Sequence, residues 1–264
     1  MMALPDELAG SAFTVDVFHR GGFHLVQPAG NGHRAGMDAM MLAAAVPSIF
    51  PGDVADLGAG AGAAGLAVLS RCPARHCLLV ERAPEMADCA ERSLAHPGNN
   101  RLAGRASVLV TDVALTGKER RAAGLADNSF DFVIMNPPFN RPGDRRSPDA
   151  LREAAHVMED GLFERWLRTA AAILRPQGRL ALIFRPQSLA EALAALQGRF
   201  GAVEIKPIHP RPNAAAIRVV IRAARGARRA SQILPPLYLH DAEGNGFSAA
   251  ADAINNGRGS LFGD

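Results

Sequence analysis

The sequence predicts an α/β fold, a seven-stranded, mostly parallel sheet with helices on both faces, preceded by a small N-terminal hairpin and helix. Two observations carry that expectation. From Val54 onward, short apolar runs alternate with helix-patterned segments, as strands joined by crossover helices require. No clear helix separates the last two runs, which points to an antiparallel pair at one side of the sheet.

In chain order, Thr14 to Arg20 and Gly22 to Gln27 have strand composition around Gly21-Gly22 and predict the hairpin. A Gly-rich link follows Pro28, and Asp38 to Val46, rich in Ala, Met and Leu, predicts a short helix stopped by Pro47. Strands are expected at 54–58, 76–82, 106–112, 130–135, 179–185, 202–208 and 217–223, with helices at 62–71, 84–95, 160–174 and 188–197. Two connections read as irregular, Thr116 to Ser129 and Asn140 to Glu159; the second lies where ligands enter such sheets and reads as a functional lid or flexible segment. The chain therefore divides into residues 1–50 (hairpin and helix), 51–230 (the α/β domain) and 231–264, a tail whose Gly/Asn-rich end is expected to be flexible.

Composition narrows the class of protein. With 264 residues, 48% of them apolar, the chain has material for a substantial core. A net charge of +3 permits a nucleic-acid partner without demanding one, and the basic residues are almost all arginine, with Lys118 and Lys206 the only lysines. Cys72, Cys77 and Cys89 lack the paired short spacing of a metal site, and an odd count argues against a full disulfide framework, so no metal and a reducing cytoplasm are expected. The N-terminal stretch has no basic export region, and Met37 to Phe50 is too short and too interrupted to span a bilayer, so no membrane association is expected.

Residues 136–140 read Asn-Pro-Pro-Phe-Asn directly after the apolar run Phe130 to Met135. Neither proline donates a backbone hydrogen bond and each restricts its predecessor to extended backbone, so the strand should end in a stiff corner. There the Asn136 carboxamide oxygen and the Pro137 carbonyl offer adjacent acceptors to a planar amine bearing two hydrogens, and Phe139 offers a flat face for its ring. Standing alone, the motif would be a strand-terminating turn.

Other strand ends carry polar groups too. Val54-Ala55-Asp56-Leu57-Gly58-Ala59-Gly60-Ala61-Gly62 places three glycines between a strand and a helix, where backbone comes close to a ligand and the helix N-terminus favours an anion. Gly60, Gly62 and Gly65 also fit the dinucleotide fingerprint, with Glu81 at the distance of a ribose-binding acid, so a nicotinamide oxidoreductase competes. Asp56, Asp112 and the Asn-Pro-Pro-Phe corner weigh against it, since a dinucleotide site leaves that row unexplained.

Together these residues resemble the class I S-adenosylmethionine-dependent methyltransferases, whose fold is Rossmann-like, and in particular those that modify planar amines. Gln27-Pro28, Gly32 through Asp38, His209-Pro210-Arg211-Pro212 and Ile217 to Val220 extend the likeness, over roughly residues 14 to 240, to the bacterial valine-tRNA adenine-N6 methyltransferases. The resemblance implies S-adenosylmethionine as cofactor and tRNA as partner. It implies that Asp56, Gly58, Gly60 and Gly62 line the methionine end, Glu81 binds the ribose hydroxyls, Asp112 accepts from the cofactor's adenine amine and Asp38 helps fix the amino group. Asn136, Pro137 and Phe139 would hold and stack the target; Phe139 stands where such loops commonly carry tyrosine, which keeps stacking and loses a hydroxyl. The same clamp suits protein glutamine, rRNA guanine or DNA adenine. Arg141, Arg145 and Arg146, and separately Arg218, Arg222, Arg225, Arg228 and Arg229, are candidate phosphate contacts or solvated faces. His33, His156 and Trp166 read as structural, Trp166 as core packing beside Leu162, Phe163 and Leu167.

Overall fold

The computed structural model describes residues 13–29, 34–138 and 161–264. The hairpin forms as expected: β1 (Phe13–Phe18) pairs antiparallel with β2 (Phe23–Pro28). Behind it comes α1 (Met37–Ala43), whose Ala, Met and Leu side chains are buried from Ala39 onward. Seven core strands follow: β3 (Asp53–Leu57), β4 (His76–Glu81), β5 (Ala106–Val110), β6 (Phe130–Met135), β7 (Leu174–Phe184), β8 (Phe200–His209) and β9 (Arg218–Arg225). Their spatial order is β5-β4-β3-β6-β7-β9-β8. The first five are parallel, and β9 runs antiparallel to both β7 and β8.

Strand alternation sorts the side chains into two cores. Val54, Phe132 and Ile134 face α1, α2 (Ala63–Arg71) and α3 (Pro84–Ala95). Ala55, Leu57, Val133 and Met135 face the opposite layer. A short helix, α4 (Gly117–Ala122), falls within the connection expected to be irregular. The opposite layer is built from α5 (Leu162–Ile173) and α6 (Leu189–Leu196), whose Leu162, Phe163, Leu167 and Ala192 belong to that second core. These parallel strands are covered on both faces, which is why they read as nearly continuous apolar runs.

The tail adds elements that the sequence did not predict. Residues 232–233 and 237–238 form β10 and β11, both parallel to the outer side of β8, and bring the sheet to nine strands. Residues 249–255 form α7, capped by the Ser248 hydroxyl, which accepts from Ala251 N at 3.2 Å. Leu237, Leu239, Ala251, Ile254 and Leu261 are buried and join the first core, and Leu261 N donates to Ala44 O at 2.8 Å. Each fully buried aliphatic side chain contributes about 1.5 to 3 kcal/mol, so a few spaced anchors hold a segment of mixed composition.

Candidate active site

The C-terminal ends of β3, β4, β5 and β6 share one edge of the sheet. Leu57 lies opposite both Val80 and Met135, and Glu81 opposite Val110, so the residues that follow stand side by side. Strand order reverses between β3 and β6, and a doubly wound sheet opens its ligand crevice at such a reversal. Gly58 follows β3 there, and Asn136 follows β6 beside it.

The glycine loop has left-handed φ at Gly58 (73°), Gly60 (57°) and Gly62 (89°). Its glycines serve different needs. A Cβ on Gly62 would lie 2.9 Å from Leu79 Cδ1, so that position lets α2 sit close on β4. Gly60 is the open one: a Cβ there would meet nothing nearer than Met86 Cε at 3.7 Å. Glu81, 9% exposed, braces the loop by accepting from Gly60 N through Oε2 and from Ala83 N through Oε1, both at 2.8 Å. A carboxylate has about four acceptor sites, so capacity for ligand hydroxyls is left. Asp112 lies just past β5, accepts from Ala114 N at 2.7 Å through Oδ1 and is partly exposed.

Asp56 differs from the expectation that it lines the crevice. Alternation along β3 turns it toward α2, where it is 2% exposed and its Oδ2 accepts from Gly65 N at 2.9 Å. The first N–H groups of a helix have no partners within it, and this carboxyl supplies one from beneath the loop. Burial, opposed by the Gly65 hydrogen bond and assisted by the Glu81 charge, raises its pKa to about 7. Asp38 sits in the first turn of α1 and forms an ion pair with Arg218 Nε at 2.8 Å. Arg218 opens β9, which runs antiparallel to β7, so Asp38 also belongs to the crevice edge.

At the Pro-Pro corner, Pro137 is buried. The Asn136 Oδ1 atom is buried with no hydrogen-bond partner among the described residues. An unpaired buried carbonyl costs roughly 1 to 3 kcal/mol, and a ligand donor relieves that cost. Phe139 lies outside the described residues, as do Arg141, Arg145, Arg146, His33, His156 and the connection from Asn140 to Glu159.

The C-terminal arginine series is not one surface. Arg218 is at the crevice edge; Arg222 is 6% exposed, bound to Glu204 at 2.7 Å and to Asp264 at 2.7 Å, and stacked over Phe262 at 4.2 Å. Arg225, at the other end of β9, donates to Asn128 Oδ1 and Leu174 O. A groove of about 650 Å³ also lies at that opposite end, lined by Phe50, Asp131, Arg175 and Gln177. It is far from the row of strand ends, and the row, with its orphaned acceptor, is the better site. Among the described residues no His, Cys, Asp or Glu cluster is arranged to hold a metal, and no helix is long and apolar enough to cross a membrane.

A doubly wound sheet with its crevice at a strand-order reversal and an antiparallel β9 beyond β7 has the fold of the class I methyltransferases. Residues 34–209 match the model of the methyltransferase small domain family, and the chain belongs to that family, which implies S-adenosylmethionine as methyl donor. It is 32% identical over 156 residues, 57% of this chain and 58% of the relative, to a Porphyromonas gingivalis protein named tRNA1(Val) (adenine(37)-N6)-methyltransferase. A protein of the same name from a second strain is 28% identical over 219 residues, 80% of this chain and 83% of the relative. In Agrobacterium tumefaciens, Atu636, described as a predicted O-methyltransferase, has a crystal structure with 44% identity and a TM-score of 0.74, over 84% of this chain and 97% of that one.

Proposed function

We propose that this protein transfers a methyl group from S-adenosylmethionine to the exocyclic amine of adenine in tRNA. The observation that carries the reading is the orphaned Asn136 Oδ1 beside the glycine loop. When bound, the donor supplies an electrophilic methyl group on a sulfonium. The residues present fit it: Gly60 leaves the loop open, Glu81 and Asp112 keep acceptor sites beyond their backbone bonds, and Asp38 adds a carboxylate, paired with Arg218, at the same edge. Asn136 and the Pro137 carbonyl take the two amine hydrogens, which counters delocalisation of the nitrogen lone pair into the ring. Fixing amine and methyl in line removes orientational freedom, an effect worth up to about 7 to 11 kcal/mol in favourable cases. No strong general base is required, because the proton leaves after transfer.

Two relatives named as tRNA adenine methyltransferases support the nucleic-acid choice. A hydroxyl acceptor, as the description of the Agrobacterium protein would suggest, has one hydrogen and leaves half of the clamp unused. The test is incubation of the protein with radiolabelled S-adenosylmethionine and total tRNA, rRNA, DNA and protein, with the labelled fraction mapped to the base. Label on adenine N6 of tRNA is expected, and Asn136→Ala should lose at least about a hundredfold in turnover while donor affinity holds. Label on an oxygen, or a fully active Asn136→Ala variant, rejects the amine clamp.

A further inference from the structure

Trp166 is the chain's single tryptophan and lies in the second turn of α5. Its neighbours Leu162, Phe163 and Leu167 are 7%, 0% and 0% exposed, as core packing requires, yet Trp166 itself is only partly buried. Besides packing on the second core, it meets the glycine loop. A Cβ on Gly58 would lie 2.4 Å from Trp166 Cη2 and 2.9 Å from Cζ3, so the benzo edge of the indole fills the side-chain space that Gly58 leaves empty. Gly58 is the first residue past β3, its N donates to Val80 O at 2.9 Å, and it flanks Asn136 across the strand-order reversal.

We infer that Trp166 is a positioning residue that holds the glycine loop in its ligand-ready shape by packing its indole on Gly58. Three glycines within five residues have more freedom to lose on binding than any other residue type, and φ at Gly58 is left-handed. A rigid aromatic plate against the first of them removes part of that freedom before the ligand arrives, and preorganisation of this sort appears as affinity. The inference rests on the reading that the loop holds the methyl donor.

The experiment uses S-adenosylhomocysteine as the probe, with calorimetry and intrinsic fluorescence, since all tryptophan emission comes from Trp166. Emission should change on titration, with the same midpoint as the heat signal. Trp166→Ala should weaken binding about tenfold and Trp166→Phe less than about threefold, because a flat ring remains. Gly58→Ala binds poorly in either background, but its penalty should be smaller in Trp166→Ala, where only the backbone strain persists. Absence of binding by the parent protein overturns the donor reading and this inference with it. Normal parent binding with silent emission, or a Trp166→Ala or Trp166→Phe variant whose lost affinity tracks only its lost thermal stability, overturns the inference alone.

Discussion

Asp56 shows how much one side chain's direction matters. As a free acid at a strand end it would be a ligand; turned under α2, it becomes a structural carboxyl whose charged form is disfavoured by burial, with a pKa near 7. The folded pKa exceeds the ordinary value of 3.8, so the native state binds more protons than the unfolded chain between those values, and stability falls as pH rises from about 4 through 7. A shift of that size corresponds to on the order of 4 kcal/mol when fully expressed. His19 acts oppositely: burial, then the Arg71 and Arg101 charges, lower its pKa to about 4, so stability falls as pH drops from 6.5 toward 4. Asp56→Asn keeps an oxygen for Gly65 N and cannot ionise. Urea unfolding at several pH values should show a smaller loss of stability for Asp56→Asn than for the parent between pH 5 and 8; parallel profiles would refute the assignment.

At the scale of elements, the parallel strands were legible because burial on both faces makes their sequences continuously apolar, and α3 was bounded by Pro84 and by the residues after Ala95 as read. The glycine loop and the Asn-Pro-Pro corner were legible as local motifs. The docking of the tail was not, since its buried residues come in short pairs, Leu237 with Leu239 and Ala251 with Ile254, each too brief a run to carry a periodic signal. Trp166 packs against the second core, as its helical spacing implied, but that spacing does not show the further contact with Gly58 near the N-terminal end of α5. The docked tail makes a measurable claim. Leu261 is 3% exposed beside Ala44, and Asp264 completes the partnership of the nearly buried Arg222. Leu261→Ala should therefore cost about 2 to 5 kcal/mol, the range for truncating a buried leucine, read as a lower denaturation midpoint with unchanged slope. A loss under about 0.5 kcal/mol, typical of a surface position, would mean the tail is not part of the core.

For the whole molecule, the proposed function raises the question of which charges a long anionic partner would meet. The net charge is small, and several arginines away from the crevice are committed to acids: Arg75 to Asp53, Arg175 to Asp131 and Asp53, Arg222 to Glu204 and Asp264. Arg228 and Arg229 are exposed, yet they follow β9 at the edge away from Asn136, as the Ala202 N to Arg229 O bond at 3.1 Å near the start of β8 shows. A tRNA loop inserted at the crevice has no reason to reach them. Binding of tRNA should weaken steeply with salt, because phosphate contacts release counterions, and each contact contributes roughly 0.7 to 0.9 to the slope of log affinity against log salt. Replacing both Arg228 and Arg229 with alanine should leave that slope unchanged between about 50 and 200 mM salt. A slope flattened by roughly 1.4 to 1.8 would place two phosphates at the lower edge and would require the RNA to wrap around the sheet rather than enter from one end.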